Sequence, residues 1–219
     1  MLKELISKII NLEDLEFEVS RTAMEEIMCG SATDAQIAAF ITALRMKGES
    51  IDEITGFAEV MREKCVRIEP KVRGSLVDVC GTGGAKLKTF NISTISAFVV
   101  AGSNVFVAKH GNRSFTSKCG SADLVEALGV NLEAEPKEIE RAIEEIGIGF
   151  LFAPKFHPAM KYAAKPRKEI GLRTVFNILG PLTNPAGAKA QLIGVFNEEL
   201  VKKLPPVLNN LRLEHALVV

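Results

Sequence analysis

"LVDVCGTGGAKLKTFNIST", residues 76–94, decides how the chain is read. Its first five residues are a short β-rich run, Gly81, Thr82, Gly83 and Gly84 then form a loop, and from Ile92 to about Ala101 the apolar residues take helical spacing. Strand, glycine loop, helix is the unit from which parallel sheets are built. The theme returns downstream. "NVFVAKHGN" reads as a strand running into a polar loop, and "SADLVEALG" as a helix with Ser121 as its N-cap. Pro136 suits the first turn of a helix ending near Gly147, and "IGFLF", "AQLIGVF" and "HALVV" read as further strands. "HPAMKYAAKPRKEIGLR" reads as helical and basic, and "TVFNILGPLTNPAG" as a turn-rich connection leading back toward the sheet. The larger part of the chain is thus expected to be an α/β domain with a mostly parallel central sheet and a ligand site outside the carboxyl ends of its strands.

The first third differs. Leu2, Leu5, Ile6, Ile9 and Ile10 recur at helical spacing, a second pattern through Ala23, Ile27 and Met28 stops at Gly30, and "TDAQ" and "SIDE" fit the capping box with Thr33 and Ser50 as N-caps. A small N-terminal helical domain follows, with no residue pattern of its own that proposes chemistry and with packing or dimerisation as its plainest role.

Lys+Arg and Asp+Glu both number 27, so the chain carries no global field to recruit nucleic acid or an acidic membrane, and any anion selectivity must be local. Cys29, Cys65, Cys80 and Cys119 are too widely spaced for a zinc cluster or a redox pair, and reduced thiols in a cytoplasmic protein are the expectation. No apolar run is long enough for a membrane span, and the N-terminus lacks the core of a signal peptide.

The chemistry gathers at the strand ends. Glycines can turn successive N–H groups into one concavity and let a phosphate approach the backbone, although tight turns use them too; the spacing matches neither a P-loop nor GxGxxG. Asn91, Ser93 and Thr94 stand at a helix start, where hydroxyls and free N–H groups suit phosphate oxygens, a serine can ligate magnesium, and plain capping is the alternative. In "KHGNRS", Lys109 offers a point charge, Asn112 a donor and an acceptor, and His110 an acid, a base or a shape element. Lys118 and Ser121 add a third anion-friendly helix start.

Together "GTGG…TFNIST", "KHGNR", "GSADLVEALG", "FAPKFHPAMK", "R…RTVFNILGPLTNP" and "Q…GV" resemble, in order and spacing over essentially the whole chain, the anthranilate phosphoribosyltransferases. The resemblance implies a homodimer that uses magnesium to transfer a phosphoribosyl group from phosphoribosyl pyrophosphate to the amine of anthranilate, giving phosphoribosylanthranilate and pyrophosphate in tryptophan biosynthesis. It implies a nucleoside phosphorylase-like fold in which residues 1–69 and about 159–184 form the helical, dimerising domain and residues 70–158 and 185–219 the α/β domain. By motif, Gly81, Thr82, Gly83, Gly84, Asn91, Ser93, Thr94, Lys109 and Ser121 resemble the phosphoribosyl pyrophosphate site, with Ser93 matching a magnesium ligand. Gly81, His110, Asn112, Arg167 and Pro181 resemble the anthranilate site, and no general base is assigned.

The chain departs from that family in three places. Ala85 follows the glycine loop where an aspartate is usual, with Lys86 and Lys88 nearby, and Cys119 stands where serine is common. Family members also continue past a strand like "HALVV" into a loop whose Asp-Glu pair holds a second magnesium, so the α/β domain is expected to be incomplete at its C-terminus, with open strand edges and impaired turnover. Two rivals are a pyrimidine nucleoside phosphorylase, disfavoured by "KHGN", and a non-catalytic relative that binds nucleic acid through Lys161, Lys165, Arg167, Lys168 and Arg173, disfavoured by the balanced charge.

Overall fold

A computed structural model describes residues 1–83, 90–114 and 119–219. The chain divides into a unit of residues 1–65 and 157–183 and a unit of residues 66–156 and 184–219.

The first unit is helical: α1 (Leu2–Ile10), α2 (Phe17–Met28), α3 (Asp34–Lys47) and α4 (Ile51–Glu63) are joined, from later in the chain, by α9 (Lys161–Ile170) and α10 (Val175–Leu182). Both capping boxes form. Thr33 and Ser50 accept from the backbone N–H three residues on, and Gln36 and Glu53 reach back to the cap N–H groups. Gly30 ends α2 at φ +74 with the Tyr162 ring of α9 2.5 Å from where a Cβ would stand, so a larger residue meets both backbone strain and a ring. Phe40 and Phe57 meet edge to face at 5.9 Å in the middle of the unit.

Glu53 does more than cap. Its carboxylate is fully buried and accepts from Leu15 N at 2.9 Å, Ser50 N at 2.8 Å and Lys47 Nζ at 3.0 Å. One side chain therefore satisfies donors from the entry to α2, the start of α4 and the end of α3, and its desolvation is offset only while all three bonds hold.

The second unit is built on five parallel strands, β1 (Leu76–Gly81), β2 (Phe106–Gly111), β3 (Ile148–Phe152), β4 (Ala190–Gly194) and β5 (His215–Val218), in the order β3-β2-β1-β4-β5. Its helices are α5 (Ile92–Gly102), α6 (Ser121–Ala127), α7 (Pro136–Ile146), the short α8 (Ala153–Phe156) and α11 (Glu198–Asn210). Alternating strand residues face two cores. Leu76, Ala108 and Leu151 pack with Ile139 and Ile143 of α7, while Val79 and Val107 pack with Ala97 of α5. The chain runs outward from β1 to β3, then returns to lay β4 on the other side of β1. That reversal makes the carboxyl ends of β1 and β4 a topological switch point, where Gly81 is paired with Gly194.

Four sequence expectations shift. Residues 66–69 join the α/β unit rather than the helical one, because Val66 N donates to Phe156 O, Ile68 N donates to Pro185 O, and Ile68 is buried beside Leu76 and Leu151. Residues 175–182 are helix α10 rather than a turn-rich connection: Thr174 N is capped by Asn177 Oδ1, and burial of Val175, Phe176, Ile178, Leu179 and Leu182 outweighs the breakers Gly180 and Pro181. The stretch 198–210, unassigned from the sequence, is helix α11, started by Asn197 Oδ1 on Leu200 N and carried through Pro205 and Pro206. The N-cap of α6 is Gly120, with Ser121 its first helical residue.

Replacing Glu53 with alanine is expected to cost about 3 kcal/mol of unfolding free energy, since it strands the Leu15 and Ser50 amides and leaves Lys47 with only Asp14 and the Gly48 carbonyl. Urea denaturation followed by circular dichroism measures it, and Glu53→Gln, which keeps an acceptor, should lose less.

Candidate functional site

At the switch point β1 ends in a turn pinned to its neighbour. Thr82 N and Thr82 Oγ1 both donate to Gly194 O, at 2.9 and 3.3 Å. A Cβ on Gly81 would stand 3.3 Å from that oxygen, and Gly83 takes φ +68 with open space around it. Gly84, Ala85, Lys86 and Lys88 lie outside the described residues, as does Lys118.

Asn91 and Ser121 are brought together here. Asn91 is the N-cap residue of α5, yet its side-chain amide does not cap that helix; it donates to Gly120 O at 3.1 Å, joining the first turn of α5 to that of α6. Ser93 is half-buried beside it, and Thr94 is fully buried, its hydroxyl without a partner among the described residues. Ser121 Oγ donates to Asn112 O at 3.2 Å, and Asn112, exposed, accepts from Arg113 N at 2.7 Å through its side-chain oxygen.

Lys109 sits differently from a surface phosphate ligand. Its side chain is buried in the sheet and donates to Val79 O at 2.7 Å, and burial pulls its pKa down against the opposing pull of Asp78 and Cys80. Asp78, wholly buried, accepts from His110 N at 3.3 Å and from Gln191 Nε2 at 3.2 Å; burial raises its pKa, with Lys109 opposing. Gln191 also donates to Cys80 Sγ at 3.2 Å, and burial pushes that thiol well above its ordinary value. The root of the glycine turn is therefore a packed polar cluster. His110 is buried with its neighbours on β2.

Sequence reasoning passed over Asp123 and Arg113. Asp123 accepts from Gly120 N at 2.7 Å, Ser114 N at 3.2 Å and Arg113 Nη1 at 3.0 Å, and these donors hold its carboxyl below the usual range. Arg113 also pairs twice with Glu126, at 2.7 and 2.8 Å. The readable signal was an aspartate at the third position of a helix that follows a glycine.

In the helical unit, Arg167 lies half-buried on α9 with its guanidinium 5.0 Å from the centre of the Phe176 ring, and burial pulls its pKa below the ordinary arginine value. Among the described residues no carboxylate pairs with it, so a charged, planar donor stands ready for an acidic ligand. Pro181 is buried in the last turn of α10. Of the other basic residues named from the sequence, Lys165 is paired with Asp34 at 2.7 Å and Lys161 lies over Tyr162.

A magnesium ion that arrives on a diphosphate needs few protein ligands, because phosphate oxygens and water fill most of its octahedron. The hydroxyl of Ser93, half-buried in the first turn of α5 beside a Thr94 hydroxyl that has no partner among the described residues, fits one such position. Among the described residues no cluster of His, Cys, Asp or Glu forms a metal site independent of a ligand.

A parallel sheet with a glycine turn at its switch point, preceded by a helical bundle, defines a class, and the chain belongs to it: residues 73–219 match the glycosyl transferase family α/β domain and residues 3–65 the helical bundle domain of the same family. Within that family its similar relatives are anthranilate phosphoribosyltransferases. That of Persephonella marina is 55% identical over 219 residues, covering the whole chain and 65% of the relative. That of Methanocorpusculum labreanum is 56% identical, covering the whole chain and 64% of the relative. The chain therefore spans just under two thirds of the length of these proteins. Among solved structures, anthranilate phosphoribosyltransferase from Thermus thermophilus superposes with a TM-score of 0.89 at 47% identity, over 94% of this chain and 62% of that one. The Saccharomyces cerevisiae enzyme in complex with PRPP and Mg does so with a TM-score of 0.89 at 26% identity, over 99% and 64%. No helix among the described residues is long and apolar enough to cross a membrane.

His157, at the start of the second helical segment, is 6% exposed, and burial holds its pKa near about 4 against a hydrogen bond to the Thr183 backbone. The unfolded chain binds the extra proton between about 6.5 and about 4, so this stabilisation is complete above about pH 6.5 and is lost as pH falls. Unfolding free energy should drop by about 3 kcal/mol across that window, steepest near pH 5, and urea titrations of the wild type and His157→Asn should show the drop reduced in the variant.

Proposed function

We propose that this chain forms the helical domain and much of the α/β domain of an anthranilate phosphoribosyltransferase, which moves the phosphoribosyl group of phosphoribosyl pyrophosphate onto the amine of anthranilate and releases pyrophosphate. The observation that carries the reading is the Gly81–Thr82–Gly83 turn, anchored on Gly194 at the sheet's switch point, with Gly83 in the left-handed region and open space around it. Backbone N–H groups and helix-start hydroxyls there suit a diphosphate, and relatives of that name align over the whole chain. The yeast structure carrying PRPP and Mg supports the same ligand class.

In this reading Gly81, Thr82, Gly83, Gly84, Asn91, Ser93, Thr94 and Ser121 surround the diphosphate sugar, and Ser93 supplies a ligand to magnesium. Lys109 acts from within the sheet, as a positive charge below the turn. When bound, the metal neutralises charge that builds on the departing pyrophosphate. The protein's share is fixed donors at that leaving group and alignment of the amine. The aromatic amine nitrogen attacks the anomeric carbon as the carbon–oxygen bond to pyrophosphate breaks, and the nitrogen then sheds a proton; no covalent enzyme intermediate is needed. By motif His110, Asn112, Arg167 and Pro181 are assigned to anthranilate, Arg167 to its carboxylate through the planar fork. A cytoplasmic homodimer formed through the helical domain completes the proposal.

Titration calorimetry tests it. Phosphoribosyl pyrophosphate should bind, and bind more tightly with magnesium than with a chelator; no heat under either condition overturns the assignment. With that ligand present, Arg167→Ala should weaken anthranilate by about 2 kcal/mol, roughly 30-fold, and Arg167→Lys should restore only part of the loss.

A further inference from the structure

Asn112 follows β2 and Ser121 opens α6, and the described backbone beside each, at Ser114 and Gly120, is held by one further side chain. Gly120 is the crossing point. Its N–H donates to Asp123 Oδ2 at 2.7 Å, its carbonyl accepts from Asn91 at 3.1 Å, and a Cβ on it would stand 2.3 Å from Ser114 N and 2.7 Å from Arg113 C. The backbone leaving β2 and the backbone entering α6 are thus in direct contact, with room for hydrogen only.

Asp123 closes that contact from the other side. One carboxylate oxygen accepts from both backbones, at Gly120 N and Ser114 N, while the second accepts from Arg113 at 3.0 Å. Arg113 is in turn held by Glu126 one helical turn later and lies 5.8 Å from the Phe152 ring of β3. The clasp runs on to the ligand-facing groups. Asn112 O, next to the clasped Arg113, accepts from Ser121 Oγ and Ala122 N, both at 3.2 Å. Through Asn91 it reaches the turn of α5 that bears Ser93 and Thr94.

We infer that Asp123 is a positioning residue: by binding the Ser114 and Gly120 amides together and orienting Arg113, it fixes residues 112–114 and the first turn of α6 against the start of α5, so that Asn112, Ser121 and the α5 start form one preorganised cradle for a diphosphate sugar. The inference rests on the reading of this rim as a phosphoribosyl pyrophosphate site. A carboxylate beside an anion site would otherwise repel its ligand; here its charge is taken up by two amides and a guanidinium.

Two readouts separate this from general stability. In Asp123→Ala, amide hydrogen exchange at Ser114 and Gly120 should speed up about tenfold or more without ligand. Affinity for phosphoribosyl pyrophosphate with magnesium, by calorimetry, should fall about tenfold, since an ordering cost is moved from folding to binding. Asp123→Asn keeps an acceptor for the two amides but loses the arginine, and Arg113→Met loses only that arm; both should bind better than Asp123→Ala. The Asp123 side chain is 29% exposed, so these variants should fold, and the thermal midpoint monitors it. If Asp123→Ala does not fold, the asparagine and methionine variants decide alone, each expected two- to threefold weaker than wild type. Unchanged affinity in folded variants, unchanged exchange, or an affinity loss that tracks the fall in thermal midpoint overturns the inference while wild-type binding leaves the parent reading standing. A wild-type chain that binds no phosphoribosyl pyrophosphate overturns both.

Discussion

Two donors from Thr82 on the single carbonyl of Gly194 hold the α/β unit's working end in place. β1 and β4 are far apart in the chain but adjacent in the sheet, and this is where both reach their last paired residue. A backbone leaving a parallel sheet normally has unpaired groups to hide. Here the Thr82 amide and hydroxyl are drawn onto one oxygen, and Gly83, which follows, takes the left-handed angle.

Electrostatics then divide the labour. The chain has no net charge, and its cations occupy distinct environments. Lys109 is committed to the interior with Val79 O and Asp78; Arg113 is bound into a carboxylate clasp; Arg167, with no carboxylate partner among the described residues, rests on an aromatic ring. A group already saturated by protein acceptors can shape a site but offers a ligand little, whereas one resting on a ring can exchange a weak partner for a strong one. Residue type alone does not distinguish these cases.

That division marks how far the sequence could be read. The strand from Leu76, the turn through Gly81, Thr82 and Gly83, the helix from Ile92, the two capping boxes and the parallel character of the sheet follow from local patterns that the tertiary structure leaves intact. Helices α10 and α11 were hidden because Gly180, Pro181, Pro205 and Pro206 read as breakers, and only burial of the residues around them shows otherwise. Lys109 was legible as a cation near the site but not as one turned inward, since alternation along a strand gives a face and not a hydrogen-bond partner. Asp123 went unread because an aspartate in the first turn of a helix is common, and its bond to Ser114, nine residues back, is a tertiary contact that no local pattern encodes.

The helical unit is interrupted, its first four helices separated by most of the sheet from α9 and α10. Gly30 is shaped to receive the ring of Tyr162, more than a hundred residues downstream. As the chain emerges from the ribosome, α1 to α4 must wait with that surface uncovered until β1, β2 and β3 have been made. Long-range closure of this kind slows folding and lengthens the period in which apolar surface is open to chaperones or to aggregation.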